Sequence, residues 1–382
     1  MAGRIVDRTT PARTTTPEQR LLLLDGIRGY ASISVLLYHT LPWLLDWLSP
    51  GTGKILSRFV VFDGMLAVYI FFVISGCSLS IGFMRSGNPL GIAHLAVRRL
   101  PRLCIPIFVS CLAAYALTVN GFMHNAQVGA LVNSPDWLGS FYRFAPSFSD
   151  LIRFSFGGVF FAYDPTHTFN PVLWTMPPEL GGSAMIFALL VFRWFFGRLN
   201  SAYLLVGMVL LALRSPLLAF LLGMVISEEI VFGADTTIWR SRLFTLGFLA
   251  IVIARLAGVS VSFDSAVLSL VAGALVFCIT RSGHLRPFFL SSTAKLAGRL
   301  SFPLYLVHIP LLSSVSSYAF LQLVQQDISK PIIVVATAVL QITCSFTAAF
   351  AFLPVEEFAK QFSRRFSGLM LKHTQRSEPE KG

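Results

Sequence analysis

The chain has 382 residues, of which 55% are hydrophobic, 13% aromatic and only 13% charged, at a mean hydropathy of +0.71. Soluble domains carry about a quarter charged residues, so this composition, with 35 Phe, excludes a water-soluble globule and makes the lipid bilayer the solvent. At ~20 residues per span there is room for about ten or eleven crossings and little else, and the net charge of +12 reports topology rather than affinity for nucleic acid.

In chain order, residues 1–20 are polar and rich in Thr and Pro. They lack the apolar core of a signal peptide and read as a disordered cytoplasmic segment. Ten apolar stretches follow, near 26–48, 60–83, 103–120, 172–196, 200–213, 215–232, 242–260, 264–280, 300–324 and 331–353. Asp25 stands where the first helix expects its N-cap. A long external loop, 121–171, holds Phe122, Trp137, Phe141, Tyr142 and Phe144, rings suited either to stacking on sugars or to an interfacial belt. Within it, 150–163 is apolar but broken by glycine and reads as an interfacial or re-entrant piece. Residues 359–382 read as a basic cytoplasmic tail.

With the N-terminus placed inside, 22 Lys and Arg fall on the inner side and six on the outer, while Arg28 and Arg255 lie within spans. That asymmetry sets both termini in the cytoplasm. The fold class is therefore all-α, a polytopic integral membrane bundle of about ten transmembrane helices. The five cysteines lie in or beside apolar runs with no CxxC spacing, so neither a disulfide framework nor a metal site is expected. No internal repeat and no matched pair of broken spans, the pattern of many transporters, is evident.

Ionisable groups at membrane depth cost at least ~2.5–3.5 kcal/mol each and so point to function. Arg28 and His39 are eleven residues apart in the first span, on one helical face and ~16 Å apart along the axis. With the N-terminus inside, Arg28 sits near the cytoplasmic headgroups and His39 near the midplane. Together they outline a polar path with an anion site at its mouth and a titratable base at its end. Glu179 follows Pro177 and Pro178 about seven residues into the fourth span, ~10 Å from the outer face. His308 enters from the cytoplasmic side with Tyr305 on the same face, and Asp63 lies near the outer end of the second span. The segment RRLPR (98–102) brings Arg98, Arg99 and Arg102 to the cytoplasmic entry of the third span. It suits either multivalent phosphate binding or an anionic-lipid contact. No P-loop, GxSxG, HExxH or GxGxxG is present, which leaves acid–base chemistry as the main enzymatic option.

Six segments in order resemble the membrane acyltransferase-3 family of multi-pass O-acyltransferases. They are LDGIRGYASISVLLYH (24–39), FFVISGC (71–77), HLAVRRLPRLCIP (94–106), LWTMPPEL (173–180), LAGRLSFPLYLVH (296–308) and PVEEF (354–358). The likeness runs from about 21 to 365, within a domain drawn as 21–358. It implies a ten-span core that takes acyl groups, commonly acetyl, from cytoplasmic acyl-CoA as co-substrate, with no permanently bound cofactor. It also implies that His39 is the general base and that Glu179 orients His39 or the acceptor. Arg28, Arg98, Arg99 and Arg102 become candidates for the CoA phosphates, and Ser75, Tyr305, His308 and Asp63 further pocket residues. Phe302 replaces the family's usual Tyr, and Cys77 a usual aromatic.

The expected function is transfer of an acyl group from acyl-CoA to a hydroxyl of a saccharide or similar acceptor, within a bacterial inner membrane or an equivalent eukaryotic one. Membrane lipid is the expected surrounding partner, with a homo-oligomer possible and nucleic acid excluded. The rival is a proton-coupled transporter or exporter of a polar solute, with His39, Glu179 and His308 as its relay.

Overall fold

The computed structural model describes residues 17–198, 200–233, 237–259 and 264–376, and among them contains helices and turns but no strand. Ten main helices occupy the ten apolar stretches: α1 Pro17–Leu48, α2 Gly64–Ser86, α3 Pro89–Val119, α4 Met176–Phe196, α5 Asn200–Ala212, α6 Leu217–Phe232, α7 Ile238–Leu256, α8 Ser265–Arg281, α9 Ser292–Leu311 and α10 Lys330–Arg376. A π-turn, Leu312–Ser316, carries α9 on into Ser317–Gln325. Six segments are long and apolar enough to cross a bilayer: Leu21–Leu48, Gly64–Ser86, Pro89–Val119, Pro171–Phe196, Ser292–Gln325 and Lys330–Leu371. The remaining four helices are shorter, or, in α7, carry three arginines. The chain is a polytopic membrane bundle.

Two helix ends differ from expectation. The first helix begins at Pro17, a residue suited to a first turn, so Asp25 lies inside it and pairs with Arg28 at 3.0 Å instead of capping. Of the segment expected to be disordered, 1–16 lie outside the described residues and 17–20 are helical. At the other end, the basic stretch after 358 continues α10. Ala359, Ser363 and Ser367 are buried along it, and Ser367 meets His94 of α3 at 3.5 Å.

Lipid supplies no hydrophobic drive between helices, so close packing of small residues takes its place. The parallel pair α1 and α9 touches through glycines: a Cβ on Gly29 would lie 2.5 Å from the Gly298 nitrogen, and one on Gly298 2.5 Å from the Asp25 carbonyl oxygen. The parallel pair α2 and α6 is equally close. A Cβ on Gly76 or Gly223 would collide with the carbonyl of Phe220 or Val73, and Ser80 hydrogen-bonds Ser227 at 2.7 Å. Where α2 begins and α7 ends, Asp63 accepts from Leu66 N as the N-cap of α2 and pairs with Arg255 at 2.6 Å.

The 121–171 segment, expected to be an external loop, enters the bundle. Its 148–161 part is a short helix with a π-turn, leaning on α3. Its last residues then descend, so that Asn170 Nδ2 donates to Leu306 O at 2.8 Å and to Ser110 Oγ at 3.0 Å. Ser110 is nine residues short of the C-terminal end of α3, ~14 Å from it. The fourth span thus starts in mid-bundle, and Glu179 lies deeper than the ~10 Å expected from sequence.

Candidate active site

The glycine seam between α1 and α9 fixes what lies above it. His39 and His308 follow Gly29 and Gly298 by ten residues each, and because the helices run parallel the two imidazoles meet, Nε2 of His308 standing 3.0 Å from Nδ1 of His39. His308 is buried, and its Nδ1 lies 3.0 Å from the Leu304 carbonyl. A carbonyl only accepts, so that nitrogen carries a proton and neutral His308 keeps its lone pair on Nε2. His39 must then donate from Nδ1, which leaves its own Nε2 unprotonated. Trp137 stacks on the same ring, with centroids 5.8 Å apart and planes within 6°. Gln341 donates to the His308 carbonyl at 2.8 Å and accepts from Ser316 at 2.6 Å, tying α10 to this level.

Glu179 does not reach His39. It accepts from Ser75 Oγ at 2.6 Å and forms a close ion pair with Arg99, both side chains being nearly buried. Pro177 and Pro178 sit in the first turn of α4, where a missing N–H costs nothing, and aim the carboxylate across to α2 and α3. Tyr305 is buried among protein groups, bonding Thr175 at 2.6 Å and the Val172 carbonyl. Asp63 is spent on its cap and on Arg255.

Toward the end of the bundle where α1 begins, Arg28 donates to Asp25 at 3.0 Å and to Ser78 at 3.2 Å. Arg102 lies within electrostatic reach of Arg28, Arg98, Arg99 and Glu356. Among the described residues neither Arg98 nor Arg102 donates to any protein acceptor, and the Nε of Arg98 is buried without a partner. Arg102 keeps an exposed side chain at this level. Arg364, from the extension of α10, stands near Arg98. Arg28 and Arg99 are paired with Asp25 and Glu179, and the excess positive charge of the group is of the kind that could hold an anion.

On the opposite side of His39 a vestibule of about 590 Å³ opens, lined by Tyr38, Trp43, Asp46, Trp47, Asn133, Ser134 and Trp137 among others. Sequence reasoning listed Trp137 only as a loop aromatic and did not single out Asp46, Ser78 or Arg364. Asp46 was legible in part, since it lies seven residues beyond His39 and so on the same face of α1. The fold therefore joins His39 to His308, gathers Arg28, Arg98, Arg99 and Arg102, and sets Glu179 with Ser75 between them.

Comparison with known proteins identifies the family of the chain. Residues 21–351 match the family model described as an acyltransferase domain. The chain is 26% identical to the O-acetyltransferase PaAT-1 of Phomopsis amygdali over 364 residues, covering 76% of this chain and 72% of that protein. No solved structure matches it significantly. A match spanning most of the chain, laid over a polytopic helical bundle, means that this protein belongs to the acyltransferase-3 family and is a multi-pass membrane acyltransferase.

Proposed function

We propose that the protein is an O-acyltransferase that takes an acyl group, acetyl in the simplest case, from cytoplasmic acyl-CoA. It delivers the group to a hydroxyl of a saccharide or similar acceptor arriving from the outer side. His39 Nε2 removes the acceptor's hydroxyl proton as the oxygen attacks the thioester carbonyl. The tetrahedral intermediate collapses, the C–S bond breaks, and the CoA thiolate recovers the proton from the His39 imidazolium. The products are an ester and free CoA. His308 acts as a positioning residue. Its Nε2 holds the Nδ1–H tautomer of His39 and accepts a stronger, charge-assisted bond once the imidazolium forms.

The observation that carries this reading is the 3.0 Å contact between His39 Nδ1 and His308 Nε2, with an anion site on one side and a vestibule on the other. The axial spacing supports an acyl-CoA donor. Twelve residues of α3 separate Arg98 from Ser110, which bonds the Leu306 carbonyl just below His308. Mouth and base therefore stand ~18 Å apart, a gap suited to an extended pantetheine arm. Diphosphate and ribose phosphate then rest on Arg28, Arg98 and Arg102, while the Arg99–Glu179 pair lines the path as a neutral unit. A transporter relay would need Glu179 free to titrate, whereas its charge is committed to Arg99 and Ser75. Purified protein tests the reading: acetyl-CoA is turned over to free CoA and an acetyl ester, and His39→Gln abolishes this while leaving the folded fraction unchanged. A fully active His39→Gln protein would refute it.

A further inference from the structure

We infer that the outer vestibule is the acceptor subsite and is built for an uncharged sugar ring, with Asp46 excluding acidic sugars; this inference rests on the acyl-transfer reading above. The cavity, about 590 Å³, falls in the size range of small-ligand sites. Its aromatic faces are not equivalent. Trp43 packs edge-on against Phe320 and donates its indole N–H to the His39 carbonyl at 3.1 Å. Trp47 is engaged by Phe320 and by the ammonium of Lys330, 4.9 Å from its ring. Trp137 remains. One face of it lies on His39 and Phe141 meets it at 75° with centroids 5.5 Å apart, while among the described residues its indole N–H has no partner. An apolar ring edge carrying a free N–H donor suits a pyranose, whose C–H groups pack on the edge and whose oxygens accept from the donor. A cage for a quaternary ammonium needs several free faces around the cation, and here all three indoles already make ring contacts with protein groups.

Asp46 supplies the second half of the recognition. Its Oδ1 accepts from the Gly53 backbone N at 2.8 Å, which fixes the side chain, and Oδ2 has no protein partner among the described residues. No cation pairs with this carboxylate among them. A fixed, unpaired carboxylate in an aromatic vestibule accepts from sugar hydroxyls and repels a second carboxylate. At the short separations such a vestibule allows, partly hydrated, that repulsion disfavours a uronate by about tenfold. Tyr38 and Trp43 of the lining flank His39 along α1, so the vestibule opens beside the base, and a hydroxyl reaching past the edge of Trp137 meets it.

The test uses the full chain in phosphatidylcholine nanodiscs, free of glycoside detergent, with labelled acetyl-CoA. Probes are the methyl glycosides of glucose, galactose and mannose, the matching methyl glycuronates, and choline. The proposal expects acetylation of at least one neutral glycoside, with kcat/KM about tenfold above that of its uronate. Asp46→Asn keeps an oxygen for Gly53 N while removing the charge, and should bring that ratio to within about twofold of unity. Trp137→Phe should raise the glycoside KM and leave the ratio intact. The proposal is overturned if uronates serve as well as neutral glycosides, if choline is preferred, if Asp46→Asn leaves the ratio unchanged, or if acetyl-CoA is consumed while no glycoside is acetylated. Absence of any acetyl-CoA turnover would instead overturn the acyl-transfer reading and this inference with it.

Discussion

Replacing His308 by Phe tests the imidazole pair without opening a large cavity. The ring is buried and its backbone carbonyl stays bonded to Gln341. What is lost is the acceptor 3.0 Å from His39 Nδ1. A neutral hydrogen bond of about 1–1.5 kcal/mol biases the His39 tautomer by about tenfold. The same bond, charge-assisted once the imidazolium forms, contributes about 1.5 kcal/mol more to the transition state, a further factor of about ten. The two effects multiply to a loss of about 100-fold in kcat, with KM for acetyl-CoA within about threefold of wild type. Thiol release from acetyl-CoA in the presence of acceptor measures both. A kcat within about threefold of wild type, or an equal loss expressed through KM, would refute the assignment of His308 as the residue that positions the base.

Other outcomes follow from the same geometry. Arg102→Gln should raise KM for acetyl-CoA by about tenfold or more and leave KM for acetyl-pantetheine unchanged, because only the former carries phosphates for this unpartnered guanidinium. Arg99→Leu or Glu179→Leu alone should destabilise the protein by about 3–5 kcal/mol, since each strands a nearly buried charge; the double variant should recover most of the thermal stability. Gly29→Val or Gly223→Val should abolish monodisperse protein in fluorescence-detected size exclusion, whereas Gly82→Ala and Gly91→Ala, with open space around a Cβ, should not. Asp63→Asn should lower the melting temperature by unpairing Arg255 while activity per folded molecule is retained, in keeping with a structural carboxylate.

Much of the bundle was legible because a membrane span is a long apolar run, and each of the ten runs became a helix. The Arg28–His39 stripe was legible for the same reason, since both residues sit on one regular helix. Other features depend on contacts that sequence spacing does not encode. The depth of Glu179 follows from the descent of 163–175 into the bundle, anchored by Asn170 on Leu306, and a hydropathy reading places that segment outside. Trp137 reaches His39 only because the outer loop folds back over α1. The pairing of His39 with His308 needs the parallel glycine seam, although the two sequence motifs carrying it were both recognisable. The helical extension of α10 was hidden by its basic composition, while its buried small residues at 359, 363 and 367 keep the helical spacing throughout.

The sidedness of the reaction bears most directly on the claim that one imidazole serves both faces of the membrane. Proteoliposomes holding the acceptor glycoside inside are supplied with membrane-impermeant acetyl-CoA outside, and the molecules whose cytoplasmic end faces outward are the ones able to react. The account predicts acetyl ester in the lumen with free CoA appearing outside, and neither with His39→Gln. Ester formation only when both substrates share one compartment, or persisting in His39→Gln, would contradict it.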